Sequence, residues 1–274
     1  SLGLGRWFRE RYIQPFSGAI WSTPKEQIMD FPARAMVEFF RNHALLGYRG
    51  QHQWLTVQGG SVEYVRRLER DLRVRGVDIR LGAPVAGVRR DAAGAEVRLH
   101  GGDWERFDEV IFATHSDDAL RLLADAAPEE RAALGAVGYQ DNHAVLHADR
   151  SLMPRREKVW ASWTYTEHSP ADREKISLTY WMNSLQPIPR DDLLLVTLNA
   201  TRPIREDLIY DTHTFRHPVY DLAAFRAQAA IRGFNGARNT WFCGAWMRNG
   251  FHEDGFASAV DVVQAMADNM AQAA

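Results

Sequence analysis

The chain has 274 residues, 46% of them apolar and 25% charged, with 33 basic and 35 acidic side chains for a net charge of −2. That balance gives no basic face for nucleic acid, and no apolar run approaches the roughly 20 residues that span a bilayer. The lone cysteine, Cys243, excludes an internal disulfide framework and cysteine-rich metal sites, and it fits a reducing cytoplasm.

The chain opens Ser1-Leu2-Gly3-Leu4-Gly5 with no basic-then-apolar leader behind it. Pro32 through Leu46 reads as a helix with proline in its first turn. Trp54–Gln58 reads as a short strand, Gly59-Gly60 as a turn, and Val62, Val65, Leu68 and Leu72 as one face of a helix. Ser61 is a candidate N-cap for that helix and Gly76 a candidate terminator. Val77–Leu81 and Val85–Arg89 look like strands, and Val97 and Leu99 alternate with polar residues as in a half-exposed one. Val110-Ile111-Phe112-Ala113-Thr114 is a continuous apolar run, the mark of a strand covered on both faces, and a helix near 117–124 follows it.

Between 139 and 232 the texture changes. Asn142–Ala148, Val159–Tyr165, Ser177–Trp181 and Leu193–Leu198 look like strands with no helices between them, which favours an antiparallel sheet. A helix near 221–232, a buried strand Thr240–Cys243 and a helix over 254–270 close the chain. The expected class is therefore α+β, an α/β nucleotide-binding layer interrupted by a mostly antiparallel substrate sheet. Residues 1–51 and 139–232 would form the substrate domain, and residues 52–138 and 233–274 the remaining layer.

The most informative stretch is Trp241-Phe242-Cys243-Gly244-Ala245-Trp246 followed by Gly250-Phe251-His252-Glu253-Asp254-Gly255-Phe256-Ala257-Ser258-Ala259. A strand ends in Gly-Ala, a glycine turn follows, and a helix begins with small residues. Small residues let a backbone approach a ligand closely, and a helix start offers unpaired N–H groups and the positive dipole end. An ordinary strand–turn–helix with Glu253 and Asp254 as first-turn acids fits the same residues.

Phe242 to Trp246 with Gly250 to Gly255 resembles the closing FAD motif of flavin-containing amine oxidases and phytoene desaturases. The His252-Glu253-Asp254-Gly255 form is similar to a bacterial group of predicted NAD/FAD-binding proteins. Ala19–Ser22, Phe40–His43, Val57–Ser61 and Val110–His115 agree with that family in order, so the resemblance covers nearly the whole chain. It implies FAD as cofactor and hydride transfer to flavin N5. The main chain of Val85 would lie near the adenine, and Ala113 and Thr114 near the nucleotide. Gly244, Ala245 and Trp246 would pass the pyrophosphate, and Gly250 to Gly255 would lead into the helix under the isoalloxazine. Relatives also resemble an extension of some plant cyclopropane-fatty-acid synthases, which suggests an amine or an acyl lipid as substrate.

Two features depart from the family. No strand–GxGxxG–helix turn is present, since Gly3-Leu4-Gly5-Arg6-Trp7-Phe8 ends in phenylalanine where glycine is needed. The expectation is a truncated chain that retains no FAD and pairs as a homodimer through the face left by that unit. Trp246 also stands where many amine oxidases carry an acid.

On the inserted sheet, His143, Trp163, Tyr165, Trp181 and Asn183 are candidates for the wall of a substrate cavity, with sheet packing as the alternative. His143 and His147 share a strand face by their spacing but lack a third ligand, and Pro218 argues against a helical zinc pair at His213 and His217. No metal site is expected. Cys243 reads as an inert strand residue. Lys158 and Lys175 are candidates for a flavin-proximal lysine. A different class of function, a non-catalytic module holding an apolar ligand or protein partner on the aromatic sheet, fits the same residues.

Overall fold

The computed structural model describes residues 3, 5–25, 27–47, 49–50, 53–167 and 177–273. Lys175 lies outside them. The helices used below are α1 (Gln14–Trp21), α2 (Ala33–Asn42), α3 (Val62–Val74), α4 (Ser116–Leu122), α5 (Pro128–Leu134), α6 (Leu222–Phe234) and α7 (His252–Ala273). The strands are β1 (Val85–Asp91), β2 (Gly94–Leu99), β3 (Trp104–Phe107), β4 (Val110–Phe112), β5 (Gly138–His147), β6 (Trp163–Thr166), β7 (Ser177–Trp181), β8 (Leu195–Leu198), β9 (Ile209–Val219) and β10 (Thr240–Phe242). The class is α+β, with an antiparallel sheet inside the span that the strand pattern assigns to one.

The chain divides into two compact units, residues 1–79 with 140–217 and residues 80–139 with 218–274. The first holds α1 to α3 and the sheet of order β6-β7-β8-β5-β9. Trp21 lies 4.2 Å from Phe31 and 5.0 Å from Phe39 between ring centroids, so α1 and α2 close over an aromatic knot. β9 carries Pro218 and forms the end of the sheet order, where a missing ladder donor is tolerated.

The second unit stacks the β1-β2-β3 meander and the parallel pair β10-β4 with four helices. Val88, Phe112, Leu122, Leu134, Ile231, Phe242 and Trp246 share its core. Burying a large apolar side chain stabilises by roughly 1.5–3 kcal/mol.

Several expectations need correction. Trp54–Gln58 and Val77–Leu81 are not strands, because among the described residues no strand pairs with either. Ser61 makes no side-chain cap bond; its own backbone is already helical. Ile111 is 44% exposed, so β4 is covered on one face only, where Phe112 meets the core. Gly76 does end α3, at φ +82°. β3, α5 and β9 are additional elements.

Candidate cofactor site and candidate substrate sheet

In the second unit, β4 and β10 run parallel with Phe112 opposite Phe242. Cys243 N–H extends the pairing to the Phe112 carbonyl at 2.9 Å. The chain then leaves each strand. Ala113 and Thr114 are exposed, and Gly244 and Ala245 are half-buried. Trp246, itself buried, donates its indole N–H to the Thr114 carbonyl at 2.9 Å. The two strand ends are therefore pinned side by side, at the carboxyl end where open α/β sheets receive ligands.

Gly244 has φ +147°, and a Cβ there would come within 2.7 Å of the Trp246 indole nitrogen. Gly250 has φ +93°, and a Cβ there would fall 2.5 Å from the Tyr220 hydroxyl. Both glycines are thus required by internal packing as well as by any ligand. Ser258, buried one turn beyond Gly255, accepts from Gly244 N–H at 2.8 Å and lies 2.8 Å from the Gly255 carbonyl. It ties α7 to the end of β10. From α6, Gln228 donates to the Trp246 and Arg248 carbonyls at 2.9 and 2.7 Å.

At the start of α7, Asp254 accepts from the Phe251 N–H at 3.0 Å. His252 and Glu253 are exposed, and Asp254 and Gly255 half-buried. Burial, with the Asp254 charge adding to it, pushes the Tyr220 hydroxyl far above its ordinary range, so it stays neutral. Val85 is half-buried against the shared core, and no hydrogen bond or ring contact joins its side chain to the other candidates. Burial likewise pushes the Cys243 thiol up, which keeps it an unreactive apolar group.

In the first unit the register separates the cavity candidates. Trp163 stands opposite Tyr180 and Tyr165 opposite Leu178. These four side chains therefore share one face, while Trp181, one residue on from Tyr180, points to the other. His143 alternates onto the Trp181 side through Val145 and Thr197. The five candidates cannot all line one face. His143 is exposed, whereas His147 is fully buried and sits 2.7 Å from the Thr197 hydroxyl. Asn183 is committed to its own loop, donating to the Pro189 and Asp192 carbonyls and accepting from Leu194 N–H. Tyr165 contacts Glu167 at 3.3 Å, and burial pushes the Tyr180 hydroxyl up to about 12. Lys158 is exposed. In the second unit, His115, Asp117 and Asp118 bring ligand atoms within 4.8 Å of one another at the start of α4.

Composition and periodicity missed one buried ionic cluster. Arg90 pairs with Glu130 at 2.6 Å and Asp125 at 3.0 Å, and Arg238 joins Asp125 at 2.8 Å. Its parts come from β1, α5 and two loops, so no local spacing announces it. Among the described residues, no helix is long and apolar enough to cross a membrane.

Sequence comparison with curated proteins finds no match. Among solved structures, a provisionally assigned protoporphyrinogen oxidase from Exiguobacterium sp. 255-15 matches at TM-score 0.66 and 15% identity, over 96% of this chain and 64% of that one. Cyclohexylamine oxidase from Brevibacterium oxydans IH-35A matches at TM-score 0.61 and 13% identity, over 95% and 64%. Reduced UDP-galactopyranose mutase matches at TM-score 0.56 and 14% identity, over 89% and 61%. At these identities the likeness shows the fold, and the chain spans under two thirds of the length of each of these structures. The family described as flavin containing amine oxidoreductase matches residues 3–266. By that near-complete match, the chain belongs to the flavin-containing amine oxidoreductase family.

Proposed function

We propose that this chain supplies one side of an FAD site in an oxidoreductase that takes a hydride from an amine or an acyl-lipid substrate. The observation that carries the reading is the pinned pair of strand ends, exposed Ala113-Thr114 beside half-buried Gly244-Ala245, followed by the start of a 22-residue helix. When bound, FAD supplies the hydride acceptor. Ala113, Thr114, Gly244 and Ala245 would meet it through backbone, since none has a bulky side chain to hold the ligand off.

The first turn of α7 suits one part of the cofactor better than another. Its dipole end favours a polar edge that gains negative charge, by roughly 0.3–1 kcal/mol. Glu253 and Asp254 in that turn would repel a diphosphate, so Gly250 to Gly255 would serve the ring and not the phosphates. Micromolar binding requires about 8 kcal/mol. Without a strand–GxGxxG–helix turn in its sequence, the chain by itself should retain little FAD. On the substrate side, Trp163 and Tyr165 share a face with the half-buried Tyr180, which stays protonated and so presents a neutral aromatic wall suited to an apolar substrate.

Ala113→Glu puts a carboxylate at an exposed strand end that nothing in the core occupies. In the longest product of the gene it should abolish bound flavin, read from visible absorbance after purification, while the circular dichroism spectrum stays unchanged. Undiminished flavin in that variant would place the cofactor elsewhere and end the reading.

A further inference from the structure

The first unit carries a compact cationic surface that the flavin reading does not use. Two single-turn helices, Arg150–Leu152 and Glu157–Val159, fold the segment between them. Trp160 turns back to donate its indole N–H to the Pro154 carbonyl at 2.7 Å and meets Trp181 edge-on at 5.3 Å. The Arg150 guanidinium lies 5.1 Å over Trp160 and that of Arg190 5.7 Å over Trp181. Arg150 and Arg190 thus lie over one aromatic pair, and Arg155, Arg156 and Lys158 belong to the segment that Trp160 folds back on, five cations in all.

Three acids lie among these five cations, and they sit with Arg150 and Arg190 rather than with the other three. Glu157, the acid of the segment, is taken by Arg150 at 3.1 Å. Asp191 and Asp192 are exposed beside Arg190. Arg155, Arg156 and Lys158 are exposed, and among the described residues they make no ion pair. Next to them Val159 is 61% exposed.

We propose that this surface docks on an anionic lipid bilayer, with Arg155, Arg156 and Lys158 at the headgroups and Val159 at the acyl boundary. Basic residues close to a membrane surface are drawn to its anionic headgroups. An exposed aliphatic beside them adds the interfacial component. Nucleic acid fits less well. Single-stranded binding needs open aromatic faces for the bases, and the faces of Trp160 and Trp181 carry guanidinium groups. The proposal is independent of the flavin reading and survives its failure.

Co-sedimentation with vesicles tests it. The chain should bind phosphatidylserine-rich vesicles, bind phosphatidylcholine vesicles far less, and release as salt rises. Each basic residue near such a surface is worth about fivefold in partitioning. The triple variant Arg155→Glu, Arg156→Glu, Lys158→Glu should therefore lose on the order of a hundredfold or more. Among the described residues none of the three side chains makes a hydrogen bond or ion pair, so the variant should keep its circular dichroism spectrum. Val159→Asp should weaken binding with all five cations intact. A control with the same charge change on α3, Arg66→Glu, Arg67→Glu, Arg70→Glu, should bind nearly as the parent does. Absent binding to anionic vesicles, equal loss in the two triple variants, or binding to a nucleic-acid duplex but not to vesicles would each overturn the proposal.

Discussion

Arg90 reaches its place with no exposed side-chain surface, and burial works against its charge. Hydrogen bonds and charge from Glu130 and Asp125 outweigh that penalty and raise its pKa. Glu130 is also buried, yet the Arg90 guanidinium and the Ala127 N–H hold its carboxyl below the usual range. Removing one partner strands the other charge, which costs roughly 3–5 kcal/mol. Arg90→Met should therefore lower the denaturation midpoint sharply, and pairing it with Glu130→Met should recover part of the loss. A single variant with an unchanged urea midpoint would refute the assignment. The Glu130 contribution is present above its unfolded-state pKa and is lost as pH falls through the lower folded value.

His147 loses stability in the same direction, as pH falls, but as a buried neutral base and over a higher pH range. Its Nδ1 accepts from Asp149 N–H at 3.0 Å, so Nε2 holds the proton and donates to Thr197. Burial lowers its pKa from the ordinary 6.5, and the Asp149 charge opposes that only in part. Below about pH 6.5 the unfolded chain takes up a proton that the folded chain refuses, so stability falls as pH drops from there toward the folded pKa. Melting temperatures measured between pH 7.5 and 5 should decline more steeply in the parent than in His147→Gln. Equal slopes would show that His147 does not titrate differently on folding.

At the scale of elements, β10 shows how side chains finish what the backbone leaves open. β4 pairs with one edge of it. On the other edge Asn235 donates to the Phe242 carbonyl at 3.1 Å and accepts from Phe242 N–H at 2.8 Å, as a further strand would. Asn235→Leu orphans both buried groups, at roughly 1–3 kcal/mol each. Amide exchange at Phe242 should speed up by far more than at β5 residues; equal protection in parent and variant would contradict this role.

Elements were legible in the sequence where their signal is local. Val62, Val65 and Leu68 recur at helical spacing, and α3 forms there. Ser177–Trp181 is a strand at both its predicted ends. The run Thr240–Phe242 followed by small residues placed both β10 and α7. Strand readings failed at Trp54–Gln58 and Val77–Leu81 because a strand exists only with a partner, and partners are set by tertiary contacts. β9 escaped notice because Asp211, His213, Arg216 and Pro218 give it no apolar alternation. In the candidate site, the glycines and the strand ends were readable. The split of Trp163 and Trp181 onto opposite faces was not, because it depends on register. Nor were the ties made by Ser258, Gln228 and Asn235, each joining residues brought near by the fold.

At the scale of the whole molecule, the chain alternates between its two units, residues 1–79 and 140–217 forming the one with the antiparallel sheet and residues 80–139 and 218–274 the one with the parallel strand pair. The family match over residues 3–266 makes FAD the cofactor to test, while the length spanned, 64% of the cyclohexylamine oxidase structure, leaves activity to be measured on the longest gene product. The deciding measurement is visible flavin absorbance of this chain and of that longest product, each purified with FAD present. Flavin held by the longest product and lost from this chain, which lacks a GxGxxG turn, is the predicted result. A longest product that never binds flavin would contradict the account at its centre.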